Sequence, residues 1–166
     1  MSGRNSKKII IITAAAIIVA AAVTAILAFS IHSVLVLEDA ESGKEYAVFP
    51  VSDGDGFSVE FIHSVNKSPV RDIYEIRNGN EIFVVETDYF GFGAGVQTQL
   101  NPGEILEYGD DGSMQIKNID KRLPDLIYIV GTVSDHVLRI AQKEISLREL
   151  CGKNSHVRFA VKKRLF

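Results

Sequence analysis

Hydrophobic positions along the chain follow two different rules. From Ile9 to Phe29, 21 residues in a row, every side chain is apolar except Thr13 and Thr24, and none is charged. Such a run has no polar face to offer water. As a helix it is about 31 Å long, the thickness of a bilayer's hydrocarbon layer. Arg4, Lys7 and Lys8 precede it, while His32 and then Glu38, Asp39 and Glu41 follow it. Basic residues before a first span keep that end in the cytoplasm, so everything after about Ser30 is expected outside. A cleaved signal peptide is the rival reading, with Ala28-Phe29-Ser30 as a tolerable cleavage site. Signal peptides, however, carry an apolar core of only about 7–15 residues. Both readings deliver the same domain to the same side. The expected organisation is a cytoplasmic basic N-terminus (1–8), a transmembrane anchor (9–30) and an extracytoplasmic β domain (31–166).

Beyond the run the period changes to two. Short apolar stretches at Ser33–Leu37 and Tyr46–Phe49 are followed by a turn-rich loop over Val51–Gly56. Phe57–Val65, Val70–Arg77 and Glu81–Asp88 alternate or nearly alternate, and Asn78-Gly79 between the last two predicts a hairpin. Ile105–Tyr108 and Met114–Asn118 flank Asp110-Asp111-Gly112, a second hairpin signal. Leu126–Val130, Val137–Ala141 and Val157–Lys162 complete the predicted strands, and only Ser146–Leu150 reads as a helical turn. The expected fold class is all-β, an antiparallel sandwich or partly open barrel, preceded by one N-terminal transmembrane helix.

Charge narrows the partners. All 21 acids lie beyond residue 30, together with all but three of the 18 basic residues, which leaves that part at −6. An acidic domain does not suit nucleic acid, whose binding rests on neutralising phosphates. The basic end at Lys162, Lys163 and Arg164 reads as a solvated strand edge or tail. Cys151 is the single cysteine, so no internal disulfide forms and the core alone must stabilise the domain. The four histidines are scattered, with no metal-ligand spacing on one element, and no metal or other cofactor is expected.

The candidate chemistry lies in two places. With Asn66–Pro69 as a connecting loop, Val65 pairs with Val70 and His63 falls beside Asp72 on a mainly apolar face, within hydrogen-bonding reach. Such a pair can fix the register as a structural contact, recognise a carboxylate or phosphate at a pocket rim, or serve catalysis. Ser64 points to the opposite face of the expected strand, so without a bulge it forms no nucleophile–base dyad with His63. The second place is Tyr89–Val96, with Gly91, Gly93 and Gly95 among aromatics. Asn101-Pro102-Gly103 leaves no room for the helix that a phosphate cradle needs. The loop either folds over the open end of the sheet or presents backbone amides of Gly93–Val96 to an anion or a peptide. The ligand-binding candidates are therefore His63, Asp72, Gly93, Ala94 and Gly95, with no residue assigned to catalysis.

His63-Ser64-Val65, Ser68-Pro69-Val70, Asp72 and Tyr74, followed by Phe92-Gly93-Ala94-Gly95, resemble the signature of the family called domain of unknown function 1850. The resemblance extends over roughly Val34 to Val161. It implies a small secreted or membrane-anchored protein, of a kind often encoded beside tripartite ATP-independent periplasmic transporters of the TAXI type. Asp72 stands where that family often has Glu, and Gln97 follows Val96 where it usually has a Pro. The family carries no known mechanism. A non-enzymatic accessory or ligand-binding module of such a transporter is the expectation, its partner a transporter subunit or its solute-binding protein. A small hydrolase using His63 and Asp72, or a structural envelope protein, are the alternatives.

Topology is open to direct test. A reporter active only outside the cytoplasm, fused after Phe166, is expected to be active, with Met1 to Ser30 retained in the membrane fraction. A reporter recovered in the cytoplasm would reverse the orientation, and soluble protein beginning near Ile31 would make the apolar run a signal peptide.

Overall fold

The computed structural model describes residues 13, 15–21, 31–91, 93, 96–97 and 99–165. The chain divides into two units, Ser33–Lys162 and a second made of the residues up to His32 with the last few from Lys163. In the second, residues 15–21 are helical and expose Ile17, Ile18 and Val19. Among the described residues no helix is long and apolar enough to cross a membrane. The anchor expected over 9–30 falls for the most part outside the described residues.

Eleven strands and one short helix follow in the rest of the described chain. The strands are β1 (Ile31–Asp39), β2 (Glu45–Val51), β3 (Gly56–Ile62), β4 (Pro69–Arg77), β5 (Glu81–Tyr89), β6 (Ile105–Tyr108), β7 (Met114–Arg122), β8 (Leu126–Ile129), β9 (His136–Ile140), β10 (Lys143–Ser146) and β11 (His156–Leu165). The helix is α1 (Leu147–Cys151), capped by the Ser146 hydroxyl, which accepts from the Glu149 N–H. A four-stranded sheet runs in the order β2-β1-β11-β8, and a seven-stranded one runs β10-β9-β3-β4-β5-β7-β6. The fold is all-β, as expected, and of the two architectures foreseen it has the two sheets of a sandwich.

The core forms where the two sheets meet. Leu35 and Leu37 of β1, Val157 and Phe159 of β11, Val59 of β3, Ile76 of β4 and Leu138 of β9 are all buried in one cluster. Alternation along β3 and β4 puts their other side chains outward. There Arg71 lies between Glu60 at 3.0 Å and Asp88 at 3.5 Å, so the outer face carries an ionic ladder. In β1 the run Val34–Leu37 is buried throughout, which is why its sequence is continuously apolar rather than alternating.

The structure corrects three expectations, each for a local reason. β3 ends at Ile62 instead of Val65, because residues 63–68 form a loop of their own, closed by the His63 N–H on the Ser68 carbonyl at 2.9 Å. Val59 therefore pairs with Asp72 and Phe61 with Val70, four positions from the predicted register. An even shift keeps the residues still paired in β3 and β4 on their predicted faces, but it removes the pairing of His63 with Asp72, and His63 and Ser64, expected on opposite faces, leave the strand and line one cleft. β7 runs past Asn118 to Arg122, since Asn118 (φ 59°) and Asp120 (φ 50°) take up an irregularity and the ladder resumes at Lys121 opposite Val84. β10 has no counterpart among the strands expected from the sequence. Its turn uses Ala141 (φ 47°) and Gln142 (φ 63°), two residue types that carry no turn signal.

Candidate functional site

Asp72 faces inward from β4, and its partners are hydroxyls. Thr87 of β5, directly opposite, donates to Oδ1 at 2.9 Å, and Tyr128 of β8 donates to Oδ2 at 2.8 Å. The Tyr74 hydroxyl is 3.4 Å from the same oxygen and touches that of Tyr128. A phenol has one proton to give, so with Tyr128 committed to Asp72 the good bond left to Tyr74 is onto the Tyr128 oxygen. The result is a relay, from Tyr74 to Tyr128 to Asp72, that joins the two sheets. Burial and then the Asp72 charge push both phenols well above the ordinary tyrosine range. Their raised values favour the neutral form. The stability they contribute is complete below about pH 10 and is lost as pH rises through the folded values.

Tyr128 also connects this cluster to a histidine. Its ring meets that of His136 edge-on at 5.6 Å, and His136 stacks on Phe61 at 5.2 Å, the residue it pairs with between β9 and β3. Burial depresses His136 below the usual histidine range, with the neighbouring Arg148 charge adding to the effect and Asp135 opposing it. Asp135 is held beside it, accepting from the His136 N–H at 2.7 Å, the Arg148 N–H at 3.0 Å and the Ser146 hydroxyl. The Gly131 N–H donates to His136 Nδ1 at 3.2 Å, so the neutral ring carries its proton on Nε2.

His63 lies close by, in the loop after β3. Its Nδ1 accepts from the Val65 and Asn66 N–H groups at 3.3 and 3.4 Å, long bonds that still orient the ring. The two imidazoles line one cleft of about 480 Å³, between loop 63–68 and loop 131–134. Phe61, Ile62 and Val133 supply its apolar wall, and Lys67 stands at the edge. Asp72 does not open into this cleft. It lines a second depression of about 460 Å³, beside Thr87, Gln97, Asn101 and Glu104. Hydrogen bonds from the side chain and N–H of Asn101 hold the Glu104 carboxyl below its ordinary range.

The glycine loop packs on the histidine loop. A Cβ added to Gly91 would lie 2.8 Å from Ser68 Cβ, and the Phe90 N–H donates to the Pro69 carbonyl at 3.1 Å. Gly93, at φ 144°, leaves room for the Asn66 side chain, whose Oδ1 would lie 2.6 Å from a Cβ there. Ala94 and Gly95 lie outside the described residues. Thus the sequence stretches His63–Val70 and Gly91–Gly93 meet at one end of the seven-stranded sheet, and both glycines are needed for the approach.

The model of one protein family matches residues 57–147, from β3 to the first residue of α1. The chain belongs to the family described as domain of unknown function, DUF1850. The match is shorter than the Val34–Val161 span expected, and covers all but the first residue of the seven-stranded sheet together with β8. It leaves β1, β2 and β11 outside. The DUF1850 segment therefore holds every group named above: Asp72, Thr87, Tyr74 and Tyr128, both cleft histidines and both glycines. No curated protein and no solved structure matches the chain.

Of the predicted site residues, His63 lines the cleft and Gly93 supports its loop, while Asp72 serves Tyr128 instead of His63. Tyr128 carries no signal in the sequence, and His136, expected there as a surface or loop residue among scattered histidines, stands in β9, half-buried against Phe61. Neither stands in a motif, and only the pairing of β9 with β3 brings His136 forward.

Two outcomes follow. In urea unfolding, Asp72→Ala and Tyr128→Phe each cost about 1–3 kcal/mol and are strongly coupled, whereas His63→Ala and Asp72→Ala are additive. Coupling in the second pair and none in the first would contradict the relay. Gly91→Ala costs about 1–3 kcal/mol from the clash, and most of that is recovered when Ser68→Gly is added. Simple additivity of those two changes would mean that the loops do not touch there.

Proposed function

We propose that the protein is a non-enzymatic, ligand-binding accessory module, held by its N-terminal helix on the outer face of the cell membrane and working with a tripartite ATP-independent periplasmic transporter. The ligand enters the cleft of His63 and His136. One observation carries this reading: the glycine and histidine loops of the DUF1850 segment pack on each other beside the described cleft that holds both imidazoles. Loops braced in this way hold a binding site in shape before its ligand arrives, which lowers the ordering cost of binding.

The imidazoles are arranged for recognition in preference to turnover. A histidine that activates a side-chain nucleophile lies within hydrogen-bonding reach of it. Here both Nδ1 atoms are taken by backbone N–H groups, and among the described residues no hydroxyl or thiol bonds to either ring. Recognition through the other ring nitrogen of each imidazole fits that geometry. The apolar run with basic residues before it supports the outer address, and the sequence resemblance supports the transporter as partner.

Affinity capture of the intact chain from solubilised membranes tests the reading. A transporter membrane subunit or solute-binding protein should co-purify, and a folded His63→Ala variant should recover markedly less of it. Reproducible hydrolytic turnover by the purified chain, abolished by His63→Ala and without any transporter component in the eluate, would replace the accessory role with an enzymatic one.

A further inference from the structure

The cleft can be read for the charge of its occupant. The domain carries an excess of acids, yet none of the described residues lining this cleft is acidic. Two carboxylates adjoin cleft residues in sequence and both are engaged elsewhere: Asp135 accepts from the Ser146 hydroxyl and the N–H groups of His136 and Arg148, and Glu60 pairs with Arg71 at 3.0 Å and Arg139 at 3.1 Å. Lys67 is exposed at the edge of the cleft with no ion pair among the described residues. Arg148 sits behind the floor, its guanidinium on the Gly131 carbonyl at 3.3 Å. In a domain of net negative charge, a concavity lined by a cation and by no carboxylate favours small anions.

The strength and shape of the site narrow that class. The polar groups are one ammonium and two imidazoles, with the hydroxyls of Ser64, Thr132 and Ser134 around them. One mobile positive charge matches one negative charge, whereas a phosphate dianion calls for a guanidinium fork or several cations. Phe61, stacked under His136, forms an aromatic floor, and the exposed Ile62 and Val133 form an apolar rim. A wholly polar anion would leave those surfaces wet. The volume suits a small organic molecule.

We infer that the cleft between residues 63–68 and 131–134 binds a small monocarboxylate with an aliphatic or aromatic body, its carboxylate held by Lys67 and the His63 and His136 Nε2–H groups and its body laid on Phe61 between Ile62 and Val133. This rests on the ligand-binding reading and adds the ligand's charge and polarity to it.

The full chain in nanodiscs, labelled with 15N in its four histidines, is titrated with hexanoate, hexanamide, hexylammonium and inorganic phosphate, against empty nanodiscs for lipid partitioning. The imidazole shifts of His63 and His136 report saturation, with His63→Ala and His136→Phe assigning the signals. Hexanoate should saturate both at least tenfold more tightly than hexanamide and phosphate. Lys67→Gln should weaken hexanoate about tenfold and leave hexanamide unchanged. Saturable binding of hexanamide or hexylammonium as tight as hexanoate would overturn the carboxylate assignment and leave the cleft a ligand site. Tighter binding of phosphate would overturn the monoanion with an apolar body. Hexanoate binding indifferent to Lys67→Gln, or moving neither histidine, would place the ligand elsewhere and overturn the inference. Failure of every probe to saturate would count against the inference and the ligand-binding reading together, whatever the transporter capture shows.

Discussion

The arrangement depends on a carboxylate and two phenols that meet between the sheets. Tyr74 and Tyr128 come from different sheets and bury their hydroxyls between them, and each such group left without a partner would cost on the order of 1–3 kcal/mol. Asp72 resolves this by accepting from Tyr128 and from Thr87. The contact is polar, directional and cross-sheet, so it fixes how β8 lies against β4 in a way that apolar packing of Phe57 on Phe159 alone does not. Tyr128 fixed in that position presents a ring edge to His136, and His136 rests on Phe61. The shape of the cleft is in this sense set from inside the sandwich.

The second constraint is steric and acts from the other side. Loop 63–68 keeps its form through its own backbone bonds, with Lys67 at φ 57° and its N–H on the His63 carbonyl at 3.0 Å. It keeps its position because Gly91 and Gly93 let the next loop approach Ser68 and Asn66 without a Cβ between them. The two short motifs are thus halves of one contact. Within them the glycines, Ser68 and Asn66 brace the loops, whereas His63 and Lys67 face the cleft.

Much of the fold was legible because period-two alternation and strong turns survive in the sequence. The hairpins at Asn78-Gly79 and Asp110–Gly112, the inner face of β4 and the helical turn after Ser146 all fell where expected. The failures share a cause. The loop at 63–68 and the Ala141-Gln142 turn place Lys67, Ala141 and Gln142 at positive φ, a choice made by tertiary context and invisible to residue type, whereas Asn118 and Asp120 are types that tolerate it but carry no mark of an irregularity inside a strand. The first of these moved the β3–β4 register by four positions, which put Asp72 opposite Val59 and out of reach of His63. The site was half legible for the same reason. His63 and the glycines announce themselves in motifs, but Tyr128 and His136 join them only through pairings between strands far apart in the chain.

The most direct measurement is of the Tyr128 hydroxyl proton. Buried and donated to a carboxylate, it should exchange slowly enough with water to appear as a downfield resonance in cold, tyrosine-labelled protein, with a cross-peak to the ring of His136. Asp72→Asn should shift it strongly upfield without unfolding the domain. A Tyr128 hydroxyl that exchanges freely, or one whose resonance is indifferent to Asp72→Asn, would contradict the relay and with it the account of how the cleft is held.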